Sequence, residues 1–149
     1  MRTFRWIATV AVCVPALASP ASAGDKGTPV EAQALLDKAA KAMGEGEAKA
    51  LAAFNDPKGG FVDRDLYVFC FDAGGKITAH RDAKMVGVDA TTLKDPDGKE
   101  IGKAMMETAK KGGGTVEYRW PNPVSQKVEA KVSFIKKAGS QSCGVGAYK

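Results

Sequence analysis

The segment Tyr118-Arg119-Trp120-Pro121-Asn122-Pro123, followed by Lys131 within Ala130-Lys131-Val132-Ser133-Phe134, holds the residue types and spacing best suited to chemistry. One face of a strand recurs at every second position, so Tyr118 and Trp120 point the same way. The two prolines stop that strand, and a returning strand over 127–136 brings Lys131 opposite the aromatic pair. Two rings with polar edges beside one fixed ammonium suit a small carboxylate: the rings exclude water and the cation neutralises the acid. The same pattern also fits a plainer arrangement, with the Tyr and Trp packed on their own sheet and Lys131 extended into solvent.

The rest of the inventory excludes more than it offers. His80 is the only histidine and no activated-serine motif accompanies it, so nucleophilic hydrolysis has no support. Asp72, His80 and Asp82 are too sparse to argue for zinc. Asp95-Pro96-Asp97-Gly98 lacks the third acidic position and the twelfth-position glutamate of a calcium loop, and it reads as a turn. Gly112-Gly113-Gly114 follows a helix rather than a strand, which excludes a phosphate-cradling loop. No enzyme class, cofactor or metal is expected.

These side chains must be positioned by a small exported domain. Arg2 and Arg5 form a basic leader, Ile7 to Leu17 a short apolar run, and Ala21-Ser22-Ala23 a cleavage site, so residues 1–23 read as a signal peptide and 24–149 as one domain. The apolar run is too short to span a bilayer comfortably. The expected location is the periplasm, with no membrane insertion after cleavage. The whole chain carries +5 at neutral pH, and losing the two leader arginines reduces this to about +3. Lysines are scattered among acids, which argues against nucleic acid as a partner. Cys70 and Cys143 remain after cleavage and each lies in a strand-like run. In an oxidising compartment they suggest a disulfide if those strands are neighbours; two buried thiols are the alternative.

Thr28-Pro29-Val30-Glu31 combines a cap, a first-turn proline and a capping-box glutamate, predicting a helix to about Met43 with Leu35, Leu36, Ala39 and Met43 on its apolar side. A second helical segment covers Glu47 to Phe54. Residues 65–71 read as a buried strand, and 76–80 as its hairpin partner across Asp72-Ala73-Gly74-Gly75. Residues 81–98 look irregular. A helix over 99–111 is expected, capped by Asp97 with Glu100, and then strands over 115–120, 127–136 and 142–148. The class is α+β, an antiparallel sheet with helices on its faces.

Four blocks in this order resemble the single Cache domain, in its second subtype. They are Phe54-Asn55-Asp56-Pro57-Lys58-Gly59-Gly60-Phe61 with Asp65-Leu66-Tyr67-Val68-Phe69; Ala79-His80 with Val86-Gly87; Leu93-Lys94-Asp95-Pro96-Asp97-Gly98-Lys99; and Tyr118-Arg119-Trp120-Pro121 with Lys131 and Gly144-Val145-Gly146-Ala147-Tyr148-Lys149. The resemblance implies a PAS-like, profilin-like five-stranded antiparallel sheet of order 2-1-5-4-3. A long N-terminal helix precedes it, and a short helix lies between strands 2 and 3. That order makes the first and last strands neighbours and a Cys70–Cys143 bond feasible. It implies an extracytoplasmic sensor that binds a small organic anion, often a short carboxylate, without catalysis.

Carried over to this sequence, the resemblance gives Lys131 the carboxylate and Tyr118 and His80 hydrogen bonds to it. Trp120 becomes an apolar wall, and Tyr67 and Met85 further pocket residues. Two departures stand out: no aromatic residue occurs in Ser140-Gln141-Ser142-Cys143 before the final glycines, and Phe134 replaces a common tyrosine. The sequence ends at Lys149, just after the last strand. The expectation is therefore a free periplasmic binding protein that presents its bound state to a membrane sensor kinase or chemoreceptor. A non-sensing structural or interaction domain with a side-chain-filled pocket is the alternative.

Overall fold

Helix α1 (Pro29–Glu45) begins where the local signals converge: Thr28 accepts the Glu31 amide and the Glu31 carboxylate returns to the Thr28 amide. This reciprocal pair satisfies two of the helix's unpartnered donors. A computed structural model describes residues 24 and 26–149 of the chain, so the signal-peptide reading of 1–23 lies outside the described residues. Gly46 separates α1 from α2 (Glu47–Asn55). The strands are β1 (Val62–Asp63), β2 (Leu66–Phe71), β3 (Ile77–Ala79), β4 (Gly113–Pro121), β5 (Val128–Ala138) and β6 (Gln141–Tyr148). Two short 3-10 turns, Ala83–Met85 and Ala90–Thr92, and α3 (Ile101–Lys110) connect β3 to β4.

All strand pairings are antiparallel, and the order is β1-β2-β6-β5-β4, with β3 also paired to β2. Without the two-residue β1, this is the five-strand order that the family resemblance implies. The first and last long strands are central neighbours, with Cys70 opposite Cys143, and a disulfide joins them.

Alternation along the strands divides the interior into two cores. On one face, Leu66, Val68, Cys70, Cys143, Val145 and Ala147 meet the buried stripe Ala32, Leu36, Ala39 and Met43 of α1. On the other, Tyr67, Phe69, Phe71, Val116, Tyr118 and Ile135 meet Ile101 and Met105 of α3. β2 is buried on both faces because helices cover each side, so its sequence reads as an unbroken apolar run rather than an alternation.

Two details depart from the sequence-based reading. The expected capping box of α3 does not form: Glu100 occupies the cap position with no side-chain cap bond. Asp95 organises that loop instead, accepting the Asp97 and Lys99 amides on one oxygen and the Arg119 amide of β4 on the other. The Lys99 amine also reaches the Glu117 carbonyl, so the loop protects the outer edge of β4. The second detail is β1, too short for periodicity to reveal. It precedes Arg64, whose φ of 54° places a non-glycine residue in the left-handed region. The Arg64 guanidinium holds the Gly24 and Lys26 carbonyls and the Asp63 and Glu31 carboxylates, clasping the lead-in to α1.

Candidate functional site

The register of three adjacent strands builds the site. Tyr118 on β4 is opposite Lys131 on β5, and Lys131 is opposite Tyr148 on β6. Two residues along, Ser133 faces Gly146. A Cβ at Gly146 would overlap Lys131 Cε and Ser133 Oγ, and one at Gly144 would collide with the Phe69 ring and Ile135. Bare backbone at these positions lets the Lys131 stem cross the central strand. Its ammonium then meets β2: Nζ donates to the Tyr67 hydroxyl at 3.0 Å and to that of Tyr148 at 3.4 Å. The amine also stands 4.1 Å and 4.6 Å from the centroids of these two rings, where the negative π-faces attract a cation.

Lys131 is 1% exposed, and among the described residues no carboxylate lies within ion-pair distance of it. Asp65, also fully buried, attracts it from farther away, but the oxygens of Asp65 already accept the Gly27 amide and the Asn122 side-chain amide. Burial dominates and holds the Lys131 amine down at about 7. Burial pushes the phenols of Tyr67, Tyr118 and Tyr148 upward, so all three stay protonated near neutrality. Tyr148 donates its proton to the Pro121 carbonyl at 2.7 Å, and the Tyr67 oxygen accepts from Lys131.

A cavity opens beside this cluster. Its inner chamber, about 30 Å³, has room for roughly one or two waters and lies among Tyr67, Phe69, Ile101, Met105, Tyr118 and Trp120. A wider mouth of about 350 Å³ follows, bounded by Tyr67, His80, Arg81, Met85, Trp120, Pro121 and Pro123, with Asp82 at its rim. Trp120 packs edge-on against Tyr118 with centroids 6.1 Å apart, and His80 edge-on against Tyr67 at 5.0 Å. The Asp82 amide donates to His80 Nδ1 at 2.9 Å, leaving Nε2 as the protonated nitrogen of a neutral ring. Burial, then the charge of Lys131, depresses the His80 pKa to about 4, so His80 is a neutral donor at physiological pH.

The structure thus gathers Tyr67, His80, Met85, Tyr118 and Trp120 around one cavity. It does not bring Lys131 to the wall: the ammonium lies behind Tyr67 and reaches the cavity through that hydroxyl. The Tyr118 hydroxyl is bonded to Ser133 Oγ at 2.8 Å. Sequence reasoning missed Ser133 and Tyr148 as supports of the cluster and Arg81 as the cation at the mouth. The period-two rule from Lys131 reaches Ser133, and Arg81 directly follows His80, so both signals were present.

Several known proteins are similar to this chain. The sensor histidine kinase MctS of Rhizobium johnstonii is 34% identical over 73 residues, covering 48% of this chain and 16% of the kinase. The methyl-accepting chemotaxis protein McpP of Pseudomonas putida is 34% identical over 76 residues, covering 50% of this chain and 14% of the receptor. The chain therefore spans only a small part of the length of these relatives. A solved Cache chemosensory domain, described for its carboxylic acid recognition, is 25% identical with a TM-score of 0.59, covering 80% of this chain and 86% of that one. The profile of the sensor-domain family Single Cache domain 2 matches residues 7–147, and the chain belongs to that family.

Proposed function

We propose that this Cache domain is an extracytoplasmic sensor whose cavity binds a short organic acid. The observation that carries the reading is Lys131, a fully buried amine with hydroxyls and ring faces around it but no carboxylate within ion-pair distance among the described residues. A buried cation with no acid in contact is costly, and an incoming anion relieves that cost. The acid accepts from Tyr67 O–H, with the ammonium directly behind it, and from His80 Nε2–H, while Met85 and Trp120 cover its carbon chain. The recognition of carboxylic acids by a related Cache domain supports the ligand class. The kinase and chemoreceptor relatives support a membrane sensor kinase or chemoreceptor as the partner that reads the bound state.

In this reading residues 1–23 direct export to the periplasm and are removed. Mass spectrometry of protein purified from a Gram-negative periplasm should give Gly24 as the first residue. Thermal shift of that protein against acids of two to four carbons, amino acids and purines tests the ligand class, because ligand binding raises the melting temperature. A response confined to carboxylates supports the proposal; a response confined to purines overturns it. The narrow inner chamber favours a second reading, a structural or interaction domain whose pocket its own side chains fill. Silence across the whole panel would decide for that reading.

A further inference from the structure

We infer that the preferred ligand is a dicarboxylate, held at one end beside Tyr67 and at the other by Arg81. This deepens the carboxylate reading above and rests on it. The cavity presents positive charge at two depths. Lys131 stands behind the Tyr67 hydroxyl at the inner end, and Arg81 flanks the mouth. Between them the wall is formed by Met85, Trp120, Pro121 and Pro123, which offer an unbranched carbon chain apolar contact.

Arg81 is half-buried, and its only hydrogen bond among the described residues is from Nη1 to the Arg64 carbonyl at 2.7 Å. One donor of five is thereby used, and this bond steadies the guanidinium plane. No acid pairs with Arg81 among the described residues, although Asp82 is adjacent in sequence. Asp82 Oδ1 accepts the Lys84 amide as the cap of the 3-10 turn. The remaining guanidinium donors form a planar fork, the geometry that recognises a carboxylate through two parallel bonds. A monocarboxylate leaves that fork hydrated; an acid with a second carboxylate at the far end of the chain engages both cations.

The test compares succinate with butyrate, which share four carbons and differ in the second acid group. Titration calorimetry of the wild-type protein at pH 6.5 should give succinate an affinity at least tenfold higher. Arg81→Gln should abolish that preference while keeping the affinity for butyrate. Arg81→Lys, which keeps the charge and loses the fork, should retain only part of it. Equal binding of both acids by the wild type, or an undiminished succinate preference in Arg81→Gln, overturns the inference and leaves the carboxylate reading standing. No binding of either acid, together with a silent carboxylate panel, overturns both. Retained butyrate binding in Arg81→Gln also shows that the variant is folded.

Discussion

Replacing Lys131 by methionine tests the central cluster without any ligand. Methionine keeps an unbranched stem to lie over Gly146 but removes the charge. The buried amine is held at about 7 instead of its ordinary 10.5, and at 1.36 kcal/mol per pH unit this gap bounds the cost of the buried charge at about 5 kcal/mol. The sign follows from proton counting. Between pH 7 and 10.5 the unfolded chain keeps a proton that the folded chain has released, so stability rises with pH through that window. Below about 7 both states hold the proton and the full cost is present. The lost bonds to Tyr67 and Tyr148 and the ring contacts offset roughly 2 kcal/mol of the gain. The variant should therefore exceed the wild type by about 2–3 kcal/mol at pH 6, an advantage that shrinks by about 3 kcal/mol at pH 9.5. Urea denaturation followed by circular dichroism at the two pH values measures both numbers. A wild-type-minus-variant difference that stays flat with pH would refute the buried, uncompensated amine.

Three further tests probe other parts of the architecture. Tyr67→Phe removes the hydroxyl between Lys131 and the cavity; it should cost about 1 kcal/mol of stability and most of any carboxylate-induced rise in melting temperature, read by thermal shift. Gly146→Ala inserts a Cβ into the Lys131 stem and should destabilise by about 1–3 kcal/mol in urea, whereas alanine at solvent-facing Gly44 should not. Replacing Cys70 and Cys143 together by alanine opens a cross-link spanning 73 positions, and loop entropy puts the loss at about 4 kcal/mol; denaturation with and without reductant should give matching curves for the variant and separated ones for the wild type.

Most of the frame was legible because its signals are local. The box at Thr28 and Glu31 fixes the start of α1, and glycine or proline marks both ends of β4 and, at Gly139, the turn from β5 to β6. Asp97 with Glu100 misled because a capping pattern can be satisfied by a competing turn: Asp95 bonds the two downstream amides and the β4 edge, and α3 starts later without a side-chain cap. For the site, period two was enough to align Tyr118, Trp120 and Lys131. It could not show that Lys131 bends across β6 to Tyr67, because that path depends on contact between strands separated by 64 positions. The same holds for Arg81, whose role depends on a loop folding over the sheet.

The missing side chains at Gly144 and Gly146 reach beyond packing. With the middle strand bare at these two positions, the strands on either side of it clasp directly: Phe69 and Ile135 share the space above one glycine, and Lys131 passes above the other to Tyr67. The floor of the site is thus a handshake between non-neighbours, to which β6 adds the Tyr148 ring and hydroxyl at its end. Reshaping that floor falls to residues on β2 and β5, since a side chain added at either glycine meets one already there.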